Sequence, residues 1–509
     1  MKKTYIDTAM ERIAPDLILK GGNVVDVFSG RVIKADVIIK DGIICGVGSY
    51  SGENEQDVSG KYVMPGFIDS HVHIESSMTQ PSEYAKAVMP HGITTVIADP
   101  HEITNVCGED GLEFMLKSAK NIPLDVNLML PSCVPATPFE HTGANLDAKT
   151  TQKLAPKFFG IGEMMNYPGI VSGDDETLGK LCLDIIDGHA PLLSGHELDA
   201  YTSAGIKTDH ECSVVEEMTE KISKGMYILL REGTLSLDVA KLIKGVTPYT
   251  LRRCAFCTDD RFVGEIIRDG SIDHCIRKAV SLGLNNIDAI IMATLNACEM
   301  YGMKNKGAIA PSYVADIVVA DDLNLSSISQ VYKNGKLVCE NGTALFECET
   351  VDNSKVTNTV HLPKISDDFF KTDVKDKFDA IELIPESIIT KKVTVSYSDS
   401  LSKVCVIERH HNLGTKGIGF VTNYGITNGA IATSIGHDSH NVIVIGDNDS
   451  DMALAVNTLG TSGGIAVCSE GKVIASMTLD IAGLMSVKSA DEVTREHDNL
   501  YSAAKVLNI

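Results

Sequence analysis

The sequence contains no tryptophan, and only 5% of its 509 residues are aromatic. That composition argues against a surface that stacks successive bases on aromatic rings. Positive charge is scarce as well: 45 Lys and Arg stand against 68 Asp and Glu, a formal net charge of −23. A chain of that sign repels phosphate backbones and anionic lipid, so neither nucleic acid nor a membrane is expected as a partner. A neutral or cationic small molecule suits it better. No stretch reaches the ~18 uninterrupted apolar residues of a membrane span. The opening MKKTYIDTAMERIAPD has two lysines but no apolar run behind them, unlike a signal peptide. A paired cysteine framework is missing too. The 13 cysteines are scattered through apolar segments, as at Cys45, Cys182 and Cys405. They are expected to be reduced, buried thiols of a cytoplasmic protein. No internal repeat, coiled coil or low-complexity tract supports a purely structural role.

What is present is enough chain for two or three domains. The hydrophobic share of 44% and the charged share of 22% are those of an ordinary globular protein. Short alternating strands with glycine turns run from Asp16 to Val63, and the same texture returns between Gly307 and Gly342. Residues 1–63 and 304–345 are therefore expected to pair into one small β-sandwich domain built from both sides of a long middle. That middle, residues 64–303, alternates amphipathic helical stretches with eight apolar runs: GFIDSHVH, ITTVIADPH, LDVNLMLPS, FFGIGEMMN, LDIIDGHA, IKTDHE, MYILLRE and CAFCTDD. Eight such runs at roughly 20–35 residue spacing match an α/β fold of the (β/α)8 TIM-like barrel type. A doubly wound sheet is the alternative, but its G-x-G-x-x-G fingerprint is absent after the early runs. A polar stretch at 346–368 reads as a linker. Residues 369–509 read as a C-terminal α/β domain, with strands in VIVIGDN and GGIAVCSEGKV and a helix start in DSDMALAVNTLG. Within it GTKGIGF, Gly414 to Phe420, reads as a turn.

In nearly every barrel run a His, Asp or Glu falls at the C-terminal end, the face where barrel enzymes place their active sites. His71 and His73 alternate on the first run, so a period of two puts both imidazoles on one side, with Asp69 sharing that face. A lone H-x-H also arises as two stacked or exposed histidines. Glu163 then ends the fourth run, His189 the fifth, His210 the sixth and Asp259 the eighth. Buried carboxylates and imidazoles are costly unless paired or metal-bound. Six of them converging at one mouth suggest two divalent metals about 3.5–4 Å apart, bridged by a carboxylate. On the second run Asp99 and His101 face one way by alternation and Glu102 the other. They read as support for the ligands, as catalytic groups or as an extra metal ligand. The bland alternative is a helix-capping acid followed by loop residues. His437, Asp438 and His440, like His410 and His411, are either active-site contacts or ordinary loop histidines. Arg231 and Glu232 end the seventh run, as a salt pair or as substrate contacts. Two tempting motifs fail. Cys254-x-x-Cys257 with His73-x-Glu75 resembles the H-x-E and P-C-x-x-C of cytidine-type zinc deaminases. Here Arg253 replaces the proline, and on a strand the two thiols point to opposite faces.

The residue order resembles the amidohydrolase superfamily: H-x-H on strand one, a bridging acid on strand four, histidines on five and six, aspartate on eight. Glu163, in GIGEMMNYPG, stands where that superfamily often has a carboxylated lysine. With MPGFIDSHVHIESS, VIADPHEITNV, AGIKTDHE, LLREGT, CTDDR and HDSHN, the chain is similar to the adenine deaminase family from Asp16 onward. The resemblance implies hydrolysis of adenine to hypoxanthine and ammonia, in purine salvage. The metals implied are Mn2+ or Fe2+, with Zn2+ an alternative, and a homodimer is expected. A metal-activated hydroxide held by His71, His73, Glu163, His189, His210 and Asp259 would attack C6 of the base. Asp259 would carry its proton to the departing amine, with Glu102 or Glu232 protonating N1. Arg231 and Glu232 would contact the purine edge. Another nucleobase deaminase or cyclic amidohydrolase is the alternative. A non-catalytic metal- or purine-binding protein is more remote, because all six ligand-type residues are kept.

Overall fold

The structure, a computed structural model, describes residues 2–373, 376–384, 390–396, 398 and 401–509. Strands from both ends of the chain's first two-thirds share one nine-stranded sheet. Strand Leu17–Asp26 pairs antiparallel with Arg31–Lys40 and parallel with Tyr62–Pro65, and Tyr62–Pro65 pairs antiparallel with Ile317–Ala320. The register Val63↔Val319 and Val24↔Val63 places alternate residues on one face. Leu19, Val24, Val37, Ile39, Val63, Ile317 and Val319 are thereby buried together. The chain enters the barrel through one strand of this sheet and returns through its neighbour.

The eight apolar runs all form strands: β1 (Phe67–Val72), β2 (Ile93–Ala98), β3 (Asp125–Leu130), β4 (Gly160–Met164), β5 (Ile186–Gly188), β6 (Thr208–Asp209), β7 (Tyr227–Arg231) and β8 (Cys254–Cys257). Strands β1 to β5 form one parallel ladder and β6 to β8 another. A parallel bridge between Val72 and Asp259 joins β8 back to β1. Where β5 and β6 are too short to share a ladder, side chains span the seam. Gly188 N–H donates to Thr208 Oγ1 (2.9 Å) and Ala190 N–H to Asp209 Oδ1 (2.9 Å). Below the barrel, Lys306 and Lys333 each bond both Asp125 and Asp316, tying the composite sheet to β3.

The stretch 346–368 is more than a tether. Val356 is buried and its carbonyl accepts from Ala482 N–H, while Val360 and Ile365 are buried in the C-terminal core. That C-terminal region carries an eight-stranded, largely antiparallel sheet. Against it lie the helices Asp449–Thr458, capped by Asn448, and Ala490–Val506, opened by a Ser489–Glu492 capping box. The predicted strands near 442 and 464 and the helix start near 449 are all present. GTKGIGF is not a turn: Lys416–Thr422 is a strand paired with Ser402–Ile407. All 13 cysteines are free, but Cys182 is exposed rather than buried. No described helix is long and apolar enough to cross a membrane.

Candidate metal centre

Strand alternation carries His71 inward on β1, and His73 follows one residue past its end. Their Nε2 atoms lie 3.2 Å apart. His73 Nδ1 is 2.8 Å from the carbonyl oxygen of Asp99. A carbonyl only accepts, so Nδ1 carries the hydrogen and Nε2 turns a lone pair to the cluster. Across from them Glu163 spreads its two oxygens between two groups of imidazoles. Oε1 is 3.3 Å from His73 Nε2 and 3.4 Å from His101 Nδ1; Oε2 is 2.6 Å from His189 Nδ1 and 3.2 Å from His210 Nε2. Glu163 is held in this bridging pose by its own backbone N–H, which donates to Asp99 Oδ2 at 2.9 Å. The preceding Gly162 makes that approach feasible, since a Cβ there would collide with the Asp99 carboxylate.

Asp259 closes the ring, with Oδ1 3.1 Å from His73 Nε2 and 3.8 Å from His71 Nε2. Its backbone is left-handed (φ 58°), a strained state for a non-glycine residue. The strain persists because β1 grips it on both sides: Asp259 N–H donates to His71 O, and His73 N–H to Asp259 O. Arg231, at the end of β7, donates Nη1 to Asp259 Oδ2 at 2.9 Å, and its other bonds go to Glu211 and Asp238. Asp69 serves the frame instead, accepting from Thr258 N–H (3.0 Å) and Thr258 Oγ1 (2.5 Å) across the β8–β1 junction.

His71, His73, Glu163, His210 and Asp259 are buried, with His189 partly open at the rim. Burial alone would raise the Glu163 carboxyl, but His189 foremost, with His210 and His73, holds it well below the carboxylate range. Burial likewise opposes charge on His73, yet Asp259 and Glu163 push it well above its usual value. His189 is pushed up to about 9 against its own burial by Glu163 and Glu211. A pocket whose carboxylates would protonate its imidazoles at neutral pH is one that a divalent cation can occupy in the protons' place. His71, His73 and Glu163 form one compact group of ligand atoms, and Glu163, His189 and His210 another; His71, His210 and Asp259 make a third across them. With no thiolate among them, these donors fit a carboxylate-bridged pair of divalent ions.

Comparisons with known proteins give the chain its family. Residues 62–338 match the amidohydrolase family, and residues 383–509 match the adenine deaminase C-terminal domain. A protein of Clostridium acetobutylicum named adenine deaminase is 46% identical, over 99% of this chain and 91% of its own. The adenine deaminase of Nitratidesulfovibrio vulgaris is 44% identical, over 98% of this chain and 90% of its own. The chain belongs to the adenine deaminase family. A solved enamidase structure also aligns, at 19% identity and a TM-score of 0.49, over 64% of this chain and 96% of that one.

In this family member several expected residues sit differently from the sequence reading. Alternation does not govern His101 and Glu102, because β2 ends at Ala98 and both residues open the helix His101–Lys120. Both therefore face the mouth, within ligand distance of His73. Glu232 leaves the site. It follows the inward Arg231, so it points the other way, to an ion pair with Lys278 in the helix Ile272–Ser281. Arg231 is committed to three carboxylates. The HDSHN segment does reach the barrel: His437 Nδ1 lies 3.4 Å from Glu102 Oε1, and Asp438 Oδ1 4.0 Å from His101 Nε2. His440 is buried behind it, while His410 and His411 bond the carbonyls of Ser439 and Thr142. Sequence reading missed Asp187, 3.7 Å from His71 Nδ1 and fixed by Thr208 and Tyr301. The signal was available, since Asp187 sits two residues before His189 in the same run. Glu211, 3.6 Å from His210 Nε2, was also missed.

Proposed function

We propose that this protein hydrolyses adenine to hypoxanthine and ammonia at a binuclear divalent-metal centre held by His71, His73, Glu163, His189, His210 and Asp259. The observation that carries the reading is the bridging pose of Glu163 between two sets of imidazoles, in a chain whose relatives over nearly its whole length bear the adenine deaminase name. Bound there, the cations supply Lewis acidity that makes water a nucleophile at neutral pH. The chain's own groups do the rest. Asp259 accepts one proton from the attacking water and passes it to the amine leaving C6, its second oxygen fixed by Arg231, while the water's other proton ends on N1 of hypoxanthine. His210, stacked 4.1 Å from His71, lines the same wall. Asp187, Glu211 and the Asp99 carboxylate hold the imidazoles and Glu163 in place.

A nitrogen and oxygen donor set suits Mn2+ or Fe2+ at least as well as Zn2+. Thirteen free cysteines, most of them buried, fit a reducing cytoplasmic setting, and the conversion of adenine to hypoxanthine would serve purine salvage. The test is ammonia release from adenine, adenosine, guanine and cytosine by Mn2+-loaded protein. Turnover of adenine alone supports the proposal; turnover of another base instead reassigns the substrate.

A further inference from the structure

The backbone carries the imidazoles of the centre in two different ways. His71 and His73 lie beside β8, and Asp259 exchanges backbone bonds with both. His189 and His210 lie just past the ends of β5 and β6, which share no ladder. A ladder fixes the spacing of neighbouring strands. Here something else must hold both rings on Glu163 Oε2.

The helix Val215–Ser223 supplies it. Its Lys221 is fully buried, and all three ammonium hydrogens are engaged. They go to the carbonyl of Ala190 (2.7 Å), to Asp209 Oδ2 (3.0 Å) and to Glu217 Oε1 (2.7 Å). Asp209 in turn accepts the N–H groups of Ala190 (2.9 Å) and Glu211 (3.1 Å), and Glu217 those of Leu192 (2.7 Å) and Ser213 (3.4 Å). Each histidine is therefore flanked by anchored residues: Ala190 and Leu192 follow His189, and Asp209 and Glu211 bracket His210. Tyr201, also fully buried, adds a link to the bridging carboxylate. Its hydroxyl accepts from His189 N–H (2.9 Å) and donates to the carbonyl of Met164 (2.8 Å), the residue after Glu163. A buried ion cluster is weak evidence for stability, since well-packed apolar side chains often serve as well. What it adds is a fixed place for the groups it bonds.

We infer that Lys221, acting through Asp209 and Glu217, is a positioning residue for the cation between Glu163, His189 and His210, and not for the one on the His71–His73 side. That side hangs on β8 and on the carbonyl of Asp99 instead. The inference rests on the binuclear reading above.

Mn2+ titration of the chelated full-length protein, read by elemental analysis and electron paramagnetic resonance, tests it. Wild type is expected to take up two ions per chain as an exchange-coupled pair. Lys221→Met should bind its first ion as the wild type does and its second about 10–100-fold more weakly. At limiting Mn2+ its spectrum is then that of an isolated ion, and excess Mn2+ restores the coupled pair. Asp273→Asn, which lowers stability through lost bonds to His91 and Arg277, should keep both affinities. Unchanged affinities in Lys221→Met, equal weakening of both ions, or loss of the second ion in Asp273→Asn overturns the inference. Should Lys221→Met fail to fold, Glu217→Gln replaces it, keeping the side chain's shape and one acceptor oxygen. The same selective loss is expected, and the same outcomes count against it. Wild type that binds two ions without turning over adenine contradicts the proposed reaction and leaves this role standing. Wild type that binds a single ion overturns the binuclear reading, and this inference with it.

Discussion

The barrel and the C-terminal domain both bury basic side chains, and they neutralise them in opposite ways. In the barrel the buried Lys221 and Arg231 meet carboxylates, whereas the buried Arg261 donates to the carbonyl of Glu232. Lys221, fully buried, bonds Asp209 at 3.0 Å and Glu217 at 2.7 Å, and Arg231 bonds Asp238, Glu211 and Asp259. In the C-terminal domain the fully buried Arg409 meets no carboxylate among the described residues. It donates to the carbonyls of His440 and Ala482 and to Thr359 Oγ1, and burial pulls it down to about 10. His410 is similar: burial and Arg409 push it down to about 4, and its ring bonds the carbonyl of Ser439. An acidic interior attracts further positive charge, which is what a metal centre requires. A carbonyl-lined interior only clamps loops. The difference teaches that the barrel mouth is built to hold cations and the C-terminal domain to hold the His437–Asn441 segment against it.

The comparison can be broken at several points. The largest effect is expected at Asp259, whose conversion to Asn removes the proton carrier. Adenine turnover should fall about 1,000-fold even after full Mn2+ loading; retained turnover would remove Asp259 from the mechanism. Next is Lys221→Met, which leaves Asp209 and Glu217 buried and uncompensated. A loss of about 3–5 kcal/mol is expected in denaturant unfolding. Asp273 offers a pH test of the same contrast. Burial would raise its carboxyl, but His91 and Arg277 bring it down to about 2. A depressed carboxyl contributes stability above its unfolded value and loses it as pH falls through the folded one. The stability gap between wild type and Asp273→Asn, on the order of 2 kcal/mol, should be constant above pH ~4 and close between pH ~4 and ~2. Arg409→Met is the smallest. It forfeits hydrogen bonds yet strands no charge, so about 1–2 kcal/mol is expected. A cost exceeding that of Lys221→Met would erase the distinction between the two interiors.

The eight strands were legible because nearly every run carries a polar residue at its end and returns after a helix-length stretch, and alternation along the first run put His71 and His73 on one side. Legibility failed where the backbone leaves the strand. Alternation would have put Glu102 on the face opposite His101, but the strand stops at Ala98 and both turn to the mouth, and Glu232 was drawn into the site when its neighbour Arg231 takes the inward place. Asp187 and Glu211 went unnoticed because an acid that supports a ligand has no spacing rule of its own. The reach of His437 to Glu102 is a tertiary fact, made by loops far apart in the chain, and no local pattern encodes it. GTKGIGF read as a turn because its glycines outweighed its alternation, yet pairing with Ser402–Ile407 on an antiparallel neighbour makes it a strand.

On this account the carboxylate-rich barrel mouth works on adenine only with divalent cations in place. The direct measurement follows the loss of adenine absorbance with chelated protein before and after Mn2+ is restored. Silence in the metal-free protein, followed by conversion to hypoxanthine with equimolar ammonia on reloading, is the predicted result. Adenine turnover by the metal-free protein, or none after full reloading, would contradict it.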